Sequence, residues 1–317
     1  PQDHARFLAV AEAIAALAPD RDSRVLDVGC ATGGMLATLR RKGYRSLLGL
    51  DPSPQCARLA KKNLAIAVHV GSVTAIPGLK RRFDIITILG VLEHLIDPRR
   101  VLRDIRAALA PGGVLYVSVP DAGRFAERMD SPYQQFSLEH IMYFTADSLN
   151  NLLRGAGFER IGISQLDVPY TNSYRYPLVD AVFRTAAAAP AIPDAAGAKS
   201  IAPYLAASAE MESVMAARIR RLSESGEPIL VWGAGTMTQR LMEKTSLSDA
   251  RIVAFVDSNP HYQGKRLKGV PIIAPTEVTR HSETIVIGSL IFESEIRDQI
   301  RNRLGCGNPI VTLRPAD

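Results

Sequence analysis

The sequence predicts an α/β protein made of two domains, of which the first has a mostly parallel sheet. Residues 24–119 alternate short β-type runs with helix-period segments, and the same rhythm returns from residue 228 onward. In "PRRVLRDIRAALA", Val101, Ile105 and Leu109 recur at the spacing that places them on one helix face against a sheet. The 317 residues are enough for two domains, each with its own buried core.

Short apolar runs define the predicted strands of both domains. Those of the first domain are "RVLDV", "LLGL", "IAVHV", "FDIITIL" and "GGVLYVSV", and those of the second are "ILVWG", "RIVAFV", "TIVIG" and "NPIVTL". Residues 167–200 are rich first in tyrosine and then in alanine and proline, which predicts a linker, and a long helix follows over about 202–224. The predicted domains are therefore residues 1–166 and 201–317.

Composition and charge restrict the class of protein. Apolar residues make up 47% and charged residues 22%, as in a globular protein. The net charge of +6 comes from scattered basic residues, which suits an acidic small molecule and disfavours nucleic acid. The widely spaced Cys30, Cys56 and Cys306 predict a reducing compartment and no metal site. No apolar run is long enough to span a bilayer, so we expect a cytoplasmic protein.

The first glycine-rich turn lies in "VLDVGCATGG", where a buried strand breaks into a turn and then a helix. Gly29 and Gly33 allow the backbone to approach a ligand closely, but their spacing is not GxGxxG, which disfavours a dinucleotide. Asp51, in "GLDPS", ends the next strand, where a carboxylate can accept hydrogen bonds from a ribose. Asp27 adds a second acid. The two glycines and the two acids together predict a cationic ligand that contains a ribose.

Together with "FDIITILGVLEHLIDP" and "ALAPGGVLYVSVPD", these motifs resemble the class I S-adenosylmethionine-dependent methyltransferases over about residues 20–165. The resemblance implies a Rossmann-like domain with a mostly parallel seven-stranded sheet and S-adenosylmethionine as cofactor. It implies these cofactor-binding residues: Asp27, Gly29, Cys30, Ala31, Gly33, Asp51, Pro52, Ser72, Val73, Leu89 and Glu93. Ser72 stands where the family has an acid for the adenine amine, and its hydroxyl can still accept that hydrogen bond, more weakly.

Methyl transfer requires a positioned acceptor and, where the acceptor loses a proton, a base. The stretch "QFSLEHIMYF", after the fifth strand, resembles the corresponding part of sugar C-methyltransferases, in which a Glu-His pair removes a proton beside a keto group. The resemblance implies that His140 and Glu139 are catalytic and that Tyr143 binds the acceptor. The alternative is that the histidine and aromatic residues only pack this loop. For His94, in "VLEHL", we expect a structural or cofactor-wall role.

The second glycine-rich turn, "ILVWGAGTMTQ", could indicate a nicotinamide cofactor, since Gly233, Gly235 and the later Asp257 fit such a site. Thr238, however, occupies the third glycine position, and no tyrosine has a lysine four residues later, as a short-chain dehydrogenase would need. Residues 200–317 instead resemble the C-terminal domain of sugar C-methyltransferases. The resemblance implies a second, smaller Rossmann-like domain in which Gly233, Gly235, Thr236 and Asp257 bind a nucleoside-diphosphate sugar; a purely structural module is the alternative.

The predicted function is S-adenosylmethionine-dependent methyl transfer to a nucleotide-linked sugar or related polysaccharide precursor, with C-methylation by His140 as base favoured. The partner is then a small molecule, and a homodimer is compatible. Three alternatives stay open: an O- or N-methyltransferase of a small metabolite, an NAD-binding sugar-modifying oxidoreductase, and a non-catalytic sensor of nucleotides. Two departures bear on the acceptor: the sequence has no cysteine-rich zinc-binding segment, and no Trp-containing run follows "TIVIG".

Overall fold

Two compact units make up the computed structural model, which describes residues 2–137, 139–171 and 174–314. The first unit comprises residues 1–127, 136–168 and 176–202, and the second comprises residues 128–135, 169–175 and 203–317. Each unit has its own sheet.

A seven-stranded sheet with helices around it forms the first unit. Its helices are α1 (Gln2–Leu17), α2 (Gly34–Arg41), α3 (Pro54–Leu64), α4 (Pro98–Ala108) and α5 (Ala146–Gly155). Its strands are β1 (Arg24–Val28), β2 (Ser46–Asp51), β3 (Val68–Val70), β4 (Phe83–Leu89), β5 (Leu109–Pro120), β6 (Phe158–Pro169) and β7 (Arg175–Thr185). The strand order is β3-β2-β1-β4-β5-β7-β6, and the first five strands are parallel, whereas β7 runs antiparallel to β5. The predicted seven strands are confirmed, in a sheet that is mixed.

The amphipathic helix α4 shows how sequence determines these elements. Asp97 caps its first turn by accepting a hydrogen bond from the Arg100 nitrogen, and Pro98 occupies the position where no donor is needed. Val101 and Ile105 are buried on its inner face, as the helical period predicts. Leu109 is different, because the helix ends at Ala108 and Leu109 is the first residue of β5. Pro111 lies two residues further on, where it would interrupt a helix.

The segment predicted as a linker differs most from expectation. Residues 175–185 form the buried strand β7, and the long helix α6 spans Ala195–Ser225, seven residues earlier than the predicted start near 202. The apolar residues of β7 lie between a tyrosine-rich stretch and an alanine- and proline-rich stretch, and these two flanking stretches predicted a linker. In the fold, the Tyr116 hydroxyl donates to the Asp180 carboxylate at 2.8 Å, so this acid is accommodated inside the sheet.

The second unit is a smaller α/β unit. Besides residues of α6, it contains α7 (Thr236–Lys244), α8 (Glu293–Asp298), β8 (Ile229–Trp232), β9 (Ile252–Val256), β10 (Arg266–Leu267), β11 (Val270–Ile273), β12 (Thr284–Ile287) and β13 (Ile310–Thr312). The strand order is β10-β11-β9-β8-β12-β13, parallel except for the short β10–β11 pair. The four strands predicted for this half are confirmed as β8, β9, β12 and β13. Among the described residues, none of the helices combines the length and the apolar character needed to cross a lipid bilayer.

Candidate active site

The turn between β1 and α2 has the backbone conformation that its glycines predict. Gly29 and Gly33 have φ values of +75° and +82°, and Ala31 between them has +45°. The Gly29 nitrogen donates to the Leu50 carbonyl at 2.7 Å, which ties the turn to β2. A Cβ on Gly29 would lie 2.3 Å from Val91 Cγ2. Both the conformation and the close approach therefore require glycine at this position.

Asp51, at the end of β2, closes this turn. One carboxylate oxygen accepts a hydrogen bond from the Ala31 nitrogen at 2.8 Å, and the other accepts one from the Ser53 nitrogen at 2.9 Å. Because β1 and β2 are parallel neighbours, their carboxyl ends meet, and this brings the two residues together. Each carboxylate oxygen has a second lone-pair site, so Asp51 can still accept hydrogen bonds from two hydroxyl groups.

Asp27 is buried below the same turn. The Thr87 hydroxyl donates to its carboxyl group at 2.6 Å. Burial raises the pKa of Asp27 to about 7, against the opposing influence of this hydrogen bond and of the Arg6 charge. Asp27 therefore changes its charge near neutral pH, while remaining close enough to Asp51 for the two acids to interact.

The other predicted cofactor residues surround these two acids. Cys30 is buried, and burial raises the pKa of its thiol to about 12, so it is an uncharged wall residue. Pro52 and Ser72 are exposed, and the Ser72 hydroxyl lies 2.7 Å from the Thr74 hydroxyl. Val73 begins a 3-10 turn directly after Ser72, and Leu89 is the half-buried last residue of β4. These residues follow the carboxyl ends of β1 to β4, the edge at which parallel sheets bind ligands.

A cluster of Glu93, His94 and His140 lies beyond the end of β4. One ligand atom from each side chain lies within 4.8 Å of the others. The two imidazole rings meet edge to face with their centroids 4.8 Å apart. The loop that carries His140 is held there because the nitrogens of Ile141 and Met142 donate to the Glu93 carbonyl at 2.9 and 3.0 Å. The backbone thus joins two segments that are far apart in sequence.

Each member of the cluster has an unusual environment. Glu93 is 2% exposed, its pKa is raised by burial, and its Oε2 atom has no hydrogen-bond partner among the described residues. The His94 Nδ1 atom lies 2.8 Å from the Glu139 carbonyl oxygen. Burial and the neighbouring His94 lower the pKa of His140, against the charge of Glu139. The buried Nδ1 of His140 has no partner within the described part of the chain.

Glu139 and Tyr143 have different positions beside this cluster. The Glu139 side chain is exposed, and it is the backbone carbonyl of this residue that contacts His94. The Tyr143 ring packs edge to face on Phe136, with ring centroids 5.0 Å apart, and lies 6.1 Å from the His140 ring. Its hydroxyl donates to the Ser137 carbonyl at 3.3 Å. Tyr143 therefore supports the His140 loop from within the first unit.

Sequence reasoning missed Arg6, which α1 brings to this edge. Its guanidinium donates to the Ser118 hydroxyl at 2.9 Å, and its charge opposes the rise that burial causes in the pKa values of Asp27 and Glu93. A single arginine in an N-terminal helix, 112 residues from its partner, gives no local signal in the sequence. The structure thus adds one cation to a site that is otherwise acidic.

The second glycine-rich turn lies in the second unit, between β8 and α7. The Gly233 nitrogen donates to the Val256 carbonyl at 2.7 Å, and Gly233 has a φ of +108°. The Asp257 carboxylate accepts from the Ala234 nitrogen and from the Asn259 nitrogen, each at 2.8 Å. Of the five residues predicted to bind substrate, the four in the second unit, Gly233, Gly235, Thr236 and Asp257, line one cavity of about 420 Å³. The fifth, Tyr143, lies in the first unit.

Fold and site together define an S-adenosylmethionine-dependent methyltransferase. A family model described as a methyltransferase domain matches residues 3–161, which is half of the chain, and the chain belongs to this family. A second model, described as C2185-like, N-terminal, matches residues 226–309. The enzyme class and the cofactor expected from the sequence are therefore confirmed.

Curated relatives match part of the chain. The chain is 31% identical over 144 residues to tRNA U34 carboxymethyltransferase of Campylobacter curvus, which covers 43% of this chain and 48% of that protein. It is 34% identical over 103 residues to ubiquinone biosynthesis O-methyltransferase of Coxiella burnetii, covering 31% and 44%. The chain thus spans about half the length of the curated relatives it matches.

Solved structures resemble the chain at lower identity. The CcbJ methyltransferase from Streptomyces caelestis is 18% identical, with a TM-score of 0.47, and the match covers 59% of this chain and 91% of that one. A TehB-like S-adenosylmethionine-dependent methyltransferase from Corynebacterium glutamicum is 23% identical, with a TM-score of 0.41, covering 55% and 86%.

The residues at the first turn have the chemistry that this cofactor needs. Bound S-adenosylmethionine supplies an electrophilic methyl group on a positively charged sulfur. The acids Asp27 and Asp51 suit a cation, and Asp51 has free lone pairs for ribose hydroxyls. The positive-φ turn allows a ligand to approach its backbone closely. The donor set on this edge of the sheet therefore fits the cofactor.

Proposed function

We propose that this methyltransferase acts on a nucleotide-linked sugar or a related polysaccharide precursor, with C-methylation favoured. The observation that carries this proposal is the cavity of the second unit, which is lined by a second glycine-rich turn and by Asp257. A methyltransferase domain needs only one nucleotide site for its cofactor. A second site of the same construction, in the proposed domain of residues 201–317, suits an acceptor that carries its own nucleotide.

The cavity chemistry supports binding of a nucleotide through backbone groups. Gly235 precedes α7, whose first turn offers free N–H groups and the positive end of the helix dipole to phosphate oxygens. Gly235 leaves open space, because a Cβ there would meet no atom within 4 Å. The lining contains Asp257 and Glu295 and no lysine or arginine. We therefore assign the phosphates to the backbone of α7 and a ribose hydroxyl to Asp257.

For the chemistry, we propose that the acceptor's proton is removed at His140. The unpartnered Nδ1 of this residue and its buried neighbours favour an uncharged ring that can accept a proton. We propose that Tyr143 and Glu139 hold the His140 loop, Tyr143 through its ring and Glu139 through its carbonyl contact with His94. These roles replace the acceptor-binding role expected of Tyr143 and the catalytic role expected of Glu139 from the sequence. Loss of a proton next to a keto group would give the carbon nucleophile that attacks the methyl group.

O-methylation of a small metabolite is the second candidate. It is supported by the sequence match to an enzyme named ubiquinone biosynthesis O-methyltransferase. His140 would then remove the proton from a hydroxyl group, and the second unit would have a structural role. Products distinguish the two candidates, because a methyl group on carbon and one on oxygen have different carbon chemical shifts.

The test is incubation of the whole chain with S-adenosylmethionine labelled with ¹³C in its methyl group. Nucleotide sugars with and without a keto group, catechol-type phenols and unmodified tRNA are offered in parallel, and products are read by NMR. We expect a ¹³C-methyl group on the carbon next to a keto group of a nucleotide sugar. Transfer to phenols or to tRNA, with none to any nucleotide sugar, would overturn the proposal.

The variant His140→Asn tests the base. We expect it to lose at least 100-fold in turnover while binding S-adenosylhomocysteine as the wild type does, because general-base catalysis contributes about 10²- to 10⁴-fold. His281→Asn is the matched control, since His281 is bonded to Glu283 in the second unit, outside both candidate sites. Undiminished turnover in His140→Asn would remove His140 from the mechanism.

A further inference from the structure

We propose that Glu93, His94 and His140 form a binding site for one divalent transition-metal cation. The three side chains offer a carboxylate oxygen and two imidazole nitrogens, all within 4.8 Å of one another. Two histidines and one carboxylate form a common ligand set for Zn²⁺, Mn²⁺, Fe²⁺ and Co²⁺. This inference concerns cation binding itself and does not depend on which acceptor the enzyme uses.

Glu93 is the first observation that indicates a cation. Its carboxyl group is 2% exposed, and within the described residues nothing donates a hydrogen bond to Oε2. A buried carboxylate without a partner is costly, and the usual compensation is a paired cation or a metal. Arg6 contributes a favourable charge but donates its hydrogen bond to Ser118, so Glu93 retains a free oxygen.

His94 has the orientation of a metal ligand. Its Nδ1 atom is 2.8 Å from the Glu139 carbonyl oxygen, which can only accept, so Nδ1 carries the proton. The lone pair is then on Nε2. Histidines that bind metals in proteins are commonly oriented in this way, with one ring N–H donated to a backbone carbonyl and the other nitrogen on the metal. The backbone of the His140 loop thus prepares His94 as a ligand.

His140 is the third ligand of the proposed site. Its Nδ1 atom has no partner among the described residues, and its ring meets the His94 ring edge to face. Ligands about 2.0 to 2.1 Å from a tetrahedral ion lie about 3.3 Å apart, so no pair of donors, at most 4.8 Å apart here, needs to approach by more than roughly 1.5 Å on binding. Three protein ligands leave a position open for water or for an oxygen of the acceptor.

The sequence predicted no metal site because that prediction depended on cysteine spacing. The ligands here are instead two adjacent residues and a histidine 46 positions later, brought together by the hydrogen bonds to the Glu93 carbonyl. A cation bound to His140 would occupy the nitrogen that otherwise accepts a proton. His140 can therefore act as the base proposed above only in the protein without a bound cation. With a cation bound, an acceptor oxygen at the open position would have a lowered pKa.

The test uses Co²⁺ as a spectroscopic probe on the whole chain, with any affinity tag removed. Chelator-treated protein is titrated with Co²⁺, followed by visible absorption, and the bound metal is measured by elemental analysis. We expect one equivalent of Co²⁺ per chain with ligand-field bands of a nitrogen and oxygen site. The isosteric Glu93→Gln and the variant His140→Gln should weaken Co²⁺ binding by at least 10-fold.

His281→Gln is the matched control, because His281 also lies beside a carboxylate, at 3.2 Å from Glu283. His281 is not one of the three proposed ligands. It should bind Co²⁺ as the wild type does. Binding that is absent in the wild type, or unchanged in Glu93→Gln and His140→Gln, would overturn the metal site. S-adenosylhomocysteine binding and methyl transfer, measured separately in chelator, test the proposed function, so the two failures are distinguishable. A cooperative urea unfolding transition in each variant shows that it is folded.

Discussion

The carboxylate of Asp257 accepts a hydrogen bond from the backbone nitrogen of Ala234 at 2.8 Å. Asp51 accepts one from Ala31 at the same distance in the other unit. In each case the second carboxylate oxygen accepts from the nitrogen two residues further along the chain. The two glycine-rich turns are therefore closed in the same way, although the sequence shows no repeat, and the question is which ligand each one holds.

Matched substitutions of these two acids should separate the ligands. Asp51→Asn is expected to weaken S-adenosylhomocysteine binding by about 10- to 100-fold, because hydrogen bonds to a charged group contribute about 1.5 to 3 kcal/mol. Asp257→Asn should leave that affinity within about twofold of wild type and weaken binding of a nucleotide sugar. Isothermal titration calorimetry measures both. If Asp257→Asn alone weakens S-adenosylhomocysteine, the cofactor has been assigned to the wrong turn.

Gly29 provides a test of how tightly the first turn is packed. Gly29→Ala should lower the free energy of unfolding by more than the ~1 kcal/mol of backbone strain, because the new Cβ would lie 2.3 Å from Val91 Cγ2. Gly112→Ala is the control, since Gly112 has the same φ of +75° and no atom within 4 Å of a Cβ. Urea denaturation measures the free energy of unfolding of both variants.

The double variant Gly29→Ala, Val91→Ala completes this cycle. Removing the Val91 methyl groups should recover part of the lost stability, which appears as a favourable coupling energy between the two positions. Equal losses in Gly29→Ala and Gly112→Ala, with no coupling to Val91, would mean that the backbone conformation alone requires glycine here.

Strands that stand between clear turn and helix signals could be predicted from the sequence. The runs "RVLDV" and "FDIITIL" match β1 and β4 at both ends, because these strands are buried on both faces. β7 was missed because its apolar residues lie between a tyrosine-rich stretch and the alanine- and proline-rich stretch that predicted a linker. The stabilisation of its buried Asp180 by Tyr116, which is distant in sequence, gave no local signal either. The start of α6 was missed because alanine-rich sequence beside prolines is typical of linkers as well as helices.

Those contacts of the candidate site that follow from strand order could be predicted from the sequence. Asp51 lies beside the first turn because adjacent parallel strands end at one edge. The meeting of His94 with His140 depends on two backbone hydrogen bonds to the Glu93 carbonyl, and no periodicity in the sequence encodes these. The contact of Arg6 with Ser118 depends likewise on where α1 packs.

Glu139 should be replaceable, in contrast to His140. Its side chain is exposed and only its backbone carbonyl contacts His94. Glu139→Gln is therefore expected to keep turnover within about threefold of wild type under saturating cofactor, measured by the release of S-adenosylhomocysteine. A loss as large as that of His140→Asn would show that the carboxylate itself takes part in the proton transfer.

Asp27 should make stability depend on pH in an unusual direction. Its pKa is raised from 3.8 to about 7 in the folded protein by burial, with Asp51 raising it and Arg6 and the Thr87 hydroxyl lowering it. Between these two values the folded state keeps a proton that the unfolded state has lost. The contribution of Asp27 to the free energy of unfolding therefore falls as pH rises from 4 to 7, by up to about 1.4 kcal/mol per pH unit.

Asp27→Asn cannot titrate and should lose this dependence. Urea denaturation at pH 5, 6, 7 and 8 is expected to show the variant gaining stability relative to wild type up to about pH 7 and no further above it. Asp84→Asn is the control, because the hydrogen bond from Arg24 lowers the pKa of Asp84, so its stability difference from wild type should stay constant from pH 5 to 8. Wild-type Asp84 therefore contributes stability above its unfolded pKa, and this contribution is lost as pH falls through its lower folded pKa. Curves for Asp27→Asn and wild type that stay parallel from pH 5 to 8 would contradict the raised pKa of Asp27.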